Sequence, residues 1–204
     1  MGRSNRLTGA VRSARDAIRL AEAIAHRHVG SAQVGSVAMQ MTPRSQSVVS
    51  IDVGVFAHRR RPFGGGTLWS GFVRIDNRTG QADFLVGGEY GAKQLAQLSA
   101  IPGSGFPPEP LDADAVTFDV PDVLRLAAEQ LALKGAVFQE EGDLQLLLRR
   151  SEGRQTWRLQ HAEARGLRVY VLIVDAGTGE IAYDRLPPGW GLDSCRSPCD
   201  GVAA

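Results

Sequence analysis

Two cysteines, Cys195 and Cys199, are too few to staple a small secreted domain. They lie in a polar Gly/Pro/Ser stretch near the C-terminus, and the four histidines (His26, His28, His58, His161) are scattered. His26 and His28 are two apart, on different sides of any helix, so no metal site is expected. The cysteines read as free thiols or as the ends of a small tail loop. Long apolar runs are missing too. Val11 to Val29 is broken by Arg12, Arg15, Asp16, Arg19 and Glu22, so it is an amphipathic helix and neither a signal peptide nor a membrane span. The expectation is a cytoplasmic protein; Met1 argues against a removed leader, without deciding it. Charge of one sign is also absent. Lys and Arg number 23 against 22 Asp and Glu, a net +1, so nucleic acid or membrane could be held only by a local patch. No Gly-x-Ser-x-Gly, phosphate-binding Gly-Lys-Ser/Thr or calcium-loop spacing occurs. Catalytic residues and cofactors are therefore expected to be none.

What the chain does have is a repeated phrase. The apolar strand Leu167 to Asp175 ends in Ala176-Gly177-Thr178-Gly179-Glu180 and returns as Ile181-Ala182-Tyr183. Earlier, Gly71 to Asp76 ends in Asn77-Arg78-Thr79-Gly80-Gln81 and returns through Ala82 to Val86. Asp76, Thr79 and Gly80 map onto Asp175, Thr178 and Gly179 at one constant offset, which suggests an internal duplication. Both aspartates then read as turn residues rather than acids for catalysis.

The pattern around each phrase is similar. A helix is expected from an N-cap at Thr8 to about His28, ended by Gly30. Strands follow over Ala32–Met41, Val48–Phe56, Thr67–Ile75 and Ala82–Val86, with residues 57–66 as a loop. A short helix, Ala92–Ser99, precedes a Pro/Gly-rich stretch. Asp119 then caps a second helix with Pro121 in its first turn and Lys134-Gly135 at its end. Val137-Phe138 reads as a short strand, and Leu144–Arg149 and Gln155–His161 as a hairpin around Ser151 to Arg154. The strand ending at Asp175 is apolar on both faces, so it is expected to be central and covered on its second side by the other half. The fold class is thus α+β: two tandem units, each one N-terminal helix packed on a curved antiparallel sheet of three to four strands. The units are assigned to residues 1–101 and 119–204, with 102–118 as linker. Contact between them is expected, because a unit of about 70 residues alone is marginal.

Residues 119–185 resemble the PepSY and PepSY-like group through Val169 to Ile181, with its Asp175, Thr178, Gly179 and Glu180, and through Trp157 in the preceding strand. Residues 8–86 are a looser copy in which Gln81 stands for the Glu. The resemblance implies a cystatin-like binding or inhibitory module. PepSY domains accompany peptidases as propeptide inhibitors or occur in cell-envelope proteins, and similar folds occur among bacterial immunity proteins. It supplies no catalytic residues to carry over.

The stretch most suited to a partner is His58-Arg59-Arg60-Arg61 with Phe63 and three glycines, read as a charged loop; Trp190 is added as a core plug or a second anchor. The expected function is non-catalytic binding of a protein partner, as a cytoplasmic inhibitor or immunity-type protein acting by steric occlusion. A small-molecule binder or enzyme with a pocket between helix and sheet is the alternative, and a nucleic-acid accessory role is less favoured.

Overall fold

Both main helices start at a polar side chain that replaces missing backbone partners, and those two starts meet. The computed structural model describes residues 5–6, 9–60, 66–101, 106–164 and 168–190. Its elements are β1 (Asn5–Arg6), α1 (Ala14–Val29), β2 (Gln33–Thr42), β3 (Ser47–Arg60), β4 (Gly66–Asp76), β5 (Gln81–Tyr90), α2 (Ala92–Ser99), α3 (Val120–Leu133), β6 (Asp143–Ser151), β7 (Arg154–Ala162), β8 (Val169–Asp175) and β9 (Ile181–Arg185). Helix α1 is capped by Ser13, whose hydroxyl accepts from the Asp16 amide, and not by Thr8. Asp119 caps α3 as its sequence suggests, accepting from the Val120 amide at 2.7 Å. The same Oδ1 accepts from the Ala14 amide of α1 at 2.9 Å, and Arg15 Nε lies 4.0 Å from Oδ2. One buried carboxylate therefore serves two helix N-termini, where negative charge is favoured.

All strands join one open antiparallel sheet in the order β1-β5-β4-β3-β2-β6-β7-β8-β9. Each half is a helix followed by a four-stranded meander, and the halves meet edge to edge through β2 and β6. The pairing there has a local two-fold relation. Gln40 lies opposite Ser50 and Arg149 opposite Thr156, while Ser50 and Thr156 lie opposite Asp76 and Asp175. Under that correspondence the pair Ser36–Arg149 exchanges with Gln40–Gln145, and Ala38–Leu147 falls on the axis.

The core lies between the helices and one face of this sheet. Helix α1 buries Ala14, Ala17, Ile18, Ala21, Ile24 and Ala25 completely, and the four buried alanines let the backbone approach the strands. Helix α3 contributes Val123, Leu124, Ala127 and Leu131. Opposite them, Val37, Met39, Val53, Leu148, Trp157 and Leu172 form one contiguous cluster. The repeated turns anchor the helix entries. Asp76 Oδ1 accepts from the Arg78 and Thr79 amides, and Asp175 Oδ1 from those of Gly177 and Thr178. Gly80 and Gly179 take positive φ of 66° and 76° to close the turns. Asn77 then clasps Val11 ahead of α1, while the Ala176 carbonyl accepts from Thr117 and Phe118 ahead of α3.

Several expectations change. Strand β3 runs on to Arg60, so His58, Arg59 and Arg60 are ladder residues and not loop residues, held by pairing with Leu68, Thr67 and Gly66. Residues 137–138 are not a strand; Phe138 packs instead on His161. Strand β8 is next to the edge strand, and its second face is not covered by the other half, because the halves join side by side. Residues 106–118 pass between the halves in contact with both: the Leu111 amide donates to the Val34 carbonyl, and Gln155 exchanges hydrogen bonds with Asp112.

His161 is fully buried, and its Nε2 accepts from the Gln139 amide at 3.1 Å. Its proton must therefore sit on Nδ1, which donates to the Asp143 carbonyl at 3.1 Å. Burial is the main cause that lowers its pKa below the ordinary 6.5. A depressed histidine contributes its stability in full above the unfolded pKa and loses it as pH falls, since the unfolded ring takes up a proton that the folded ring resists.

Two outcomes follow. Asp119→Ala removes the cap of α3 and the acceptor of the first α1 amide, leaves the Ser13 cap in place, and should cost about 2 kcal/mol, or roughly 4–8 °C in Tm, whereas Asp119→Asn retains most of it. Calorimetry of the three proteins checks this. The urea midpoint of the wild type should fall between pH 7.5 and pH 5.5, and His161→Gln should flatten that slope while lowering the midpoint at pH 7.5.

Candidate functional site

A strand alternates its side chains, and that alternation divides the expected arginine patch. His58 belongs to the face that carries Phe56 and packs edge-on to it, ring centroids 5.9 Å apart. Arg59 belongs to the helix face, with its guanidinium 6.0 Å from the Trp69 ring centroid. Trp69 continues into a stack with Phe84 at 5.8 Å, and Phe84 with His28 at 4.5 Å. Arg59 thus caps an aromatic stack at the far end of α1, away from His58. Arg61 and Phe63 lie outside the described residues, as do Cys195 and Cys199, and of Arg60 only the backbone is described. Trp190 is 7% exposed, with its indole N–H donating to the Val137 carbonyl and its ring against His161 and Tyr170. That is the packing role of the two weighed for it.

Conventional chemistry finds little footing. Among the described residues no three His, Cys, Asp or Glu side chains cluster as metal ligands. Asp76 and Asp175 both have lowered pKa values, chiefly because backbone amides donate to the carboxylates, which suits turn caps and not proton donors. Tyr170 is pushed up by burial and by the charge of Asp184, whose carboxylate pairs with Lys134 at 2.7 Å and ties β9 to the end of α3.

The unusual surface is the sheet face away from α1 and α3. Cross-strand registers place Asp83, Arg74, Asp52, Ala38, Leu147, Arg158, Ile173 and Tyr183 in one row over eight strands. In the first half the charges alternate in sign, and Arg74 Nε lies 2.7 Å from Asp52 Oδ1. The positions related by the two-fold in the second half are Tyr183, Ile173, Arg158 and Leu147. There the row is apolar around one cation. Arg158 forms no ion pair with any described residue, and neither do Arg149 and Arg185 on the same face. Phe72 and Tyr183 remain 49% and 43% exposed. These residues were missed in the sequence because they are unremarkable one by one. The available signal was the strand apolar on both faces, whose half-exposed members are Val169, Val171 and Ile173.

This face is not flat. Residues 106–108 cross it over the first half, with Phe106 edge-on to Tyr90 at 5.4 Å. Pro108 sits where Gly35 leaves room; a Cβ on Gly35 would come within 2.8 Å of it. Beneath lie Phe56 and Leu68, buried but outside the main core. Between this cover and β6–β8 runs a cavity of about 450 Å³, bounded by Phe72, Phe106, Leu147, Arg149, Arg158 and Ile173. A shallower depression of about 590 Å³ continues from it along Val171, Tyr183 and Arg185, sharing Arg158 and Ile173.

No protein-family model and no curated protein matches the chain. Among solved structures it is similar to a candidate lipoprotein from Clostridium difficile 630, at 15% identity and a TM-score of 0.47, over 86% of this chain and 93% of that one. A likeness at that level adds nothing to the functional reading.

Proposed function

We propose that the chain is a duplicated helix-plus-four-strand unit, PepSY-like in plan, that acts without catalysis by binding a protein partner through the open sheet face of its second half. The observation that carries this reading is the contrast within one cross-strand row: Asp83, Arg74 and Asp52 alternate in sign, with Arg74 paired to Asp52, whereas Tyr183, Ile173 and Leu147 surround an Arg158 that pairs with no described carboxylate. The two-fold register at β2 and β6 supports the duplication, since each pair there has its counterpart in the other half. Core positions stay apolar in both copies, with Ile75 and Val73 answered by Val174 and Leu172, so only the open face has parted ways. An exposed tyrosine and arginines set among apolar groups are the composition of an interface centre with its orienting charge. Occlusion of the partner's own site by the broad sheet, as in an inhibitor or immunity-type protein, is the concrete form proposed. In the described residues no helix is long and apolar enough to cross a membrane.

The test uses tagged wild type, a Val171→Glu/Tyr183→Glu variant and an Arg59→Ala/Arg60→Ala/Arg61→Ala variant in parallel capture from host lysate. The single protein recovered is then purified and titrated against all three. Loss of at least roughly tenfold in affinity for the open-face variant alone is expected, as for substitution at an interface centre. Loss confined to the arginine variant moves the surface to the β3–β4 end, and capture of nothing by wild type overturns the reading.

A further inference from the structure

We propose that the cavity between the sheet and residues 106–108 is a binding site for a small amphipathic carboxylate, a separate property that does not rest on the partner reading. Its shape comes from the sequence of one cross-strand row: Phe72, Gly54, Ser36 and Arg149 lie side by side on β4, β3, β2 and β6. Gly54 has no side chain and Ser36 a short one, so the row dips between a tall ring and a long cation. Three strand intervals of about 4.8 Å set these walls about 14 Å apart at the backbone. The cover of Phe106 and Pro108 converts that dip into a cavity of about 450 Å³, within the range of small-molecule sites.

The lining fixes the ligand's chemistry. One side and the roof are apolar, from Phe72 and Phe106, with Leu147 and Ile173 opposite. The polar end is cationic, from Arg149 and Arg158, which pair with no described carboxylate, whereas neighbouring Arg150 is already engaged by Glu109 and by the Pro110 carbonyl. Ser36, Ser70 and Thr156 add hydroxyls. A guanidinium fork matches a single carboxylate geometrically. A ligand with an apolar body and one terminal carboxylate satisfies both ends; a cationic amphiphile satisfies only the apolar one and a fully polar anion only the arginines.

The probe is dodecanoate, titrated into the full chain by calorimetry, with dodecyltrimethylammonium as the opposite-charge control and a decapeptide of alternating Glu and Val as the macromolecular one. One-to-one binding of dodecanoate is expected, with amide shifts centred on Gly54, Phe72 and Leu147. Arg149→Gln/Arg158→Gln, whose side chains are exposed, should keep the wild-type Tm and weaken dodecanoate by roughly tenfold or more, the usual loss of a charged hydrogen bond. Phe72→Ser should weaken it while preserving the preference for the anion. Val171→Ser/Tyr183→Ser lies outside the cavity, adds no charge beside Arg158 and should bind dodecanoate as wild type does, which separates failure here from failure of the partner surface. Equal affinity for the cationic detergent, an unchanged double arginine variant, no binding up to ~1 mM, or tighter binding of the acidic decapeptide each overturns the proposal.

Discussion

The pairing of β2 with β6 is the contact on which the rest of the molecule depends. Backbone hydrogen bonds of one antiparallel ladder turn two four-stranded sheets into one. A single helix on four strands of this length buries too little apolar surface to be comfortable alone. Joined, the halves share a core that runs from Ile75 in β4 to Val174 in β8 beneath two helices. The seam also removes two sheet edges that would otherwise invite pairing with other chains. Asp119 secures the same junction on the helix side. Because its carboxylate accepts from Ala14 and Val120 at once, α1 and α3 cannot drift apart without exposing a helix start.

Side-by-side joining has a consequence for the second face. Had the units stacked face to face, each sheet would have been covered on both sides, and the apolar residues of β8 would be interior. Edge-to-edge joining spends both helices on one face. The crossing at 106–108, with Tyr90, shields part of the other. That face must therefore be soluble by its own composition. The first half achieves it with the Asp83–Arg74–Asp52 row, and the second with arginines set among apolar groups, an arrangement that water tolerates but does not require.

The legibility of the sequence follows from how local each cause is. The turn aspartates and glycines, the cap at Asp119 and the short helix Ala92–Ser99 depend on residues within one turn of themselves, and they stand where the chain's pattern puts them. The core stripe of α1 is legible for the same reason. The start of α1 was displaced from Thr8 to Ser13 because several small polar residues compete for that role and tertiary contact to Asp119 decides among them. Strand β3 outran its expected end because a polar His58-Arg59-Arg60 run resembles a loop, while a strand with one solvated face needs only a paired neighbour. The candidate site was not legible at all. Arg149, Arg158 and Phe72 sit on three strands from both halves, and nothing short of the β2–β6 register brings them to one cavity.

That last dependence makes the cavity a reporter of the fold. Its one wall comes from β4, its floor from β3 and β2, and its far wall from β6 to β8, so it exists only while the seam is closed. Anything bound there interacts with the joined state and not with separated or unfolded halves, and mass action then transfers its binding free energy to the seam. The crossing segment 106–110 adds to this, since it is fixed to the second half through Glu109 and Arg150 while its Pro108 rests on Gly35 in the first. Occupancy of the cavity and cohesion of the two halves are consequently one linked equilibrium.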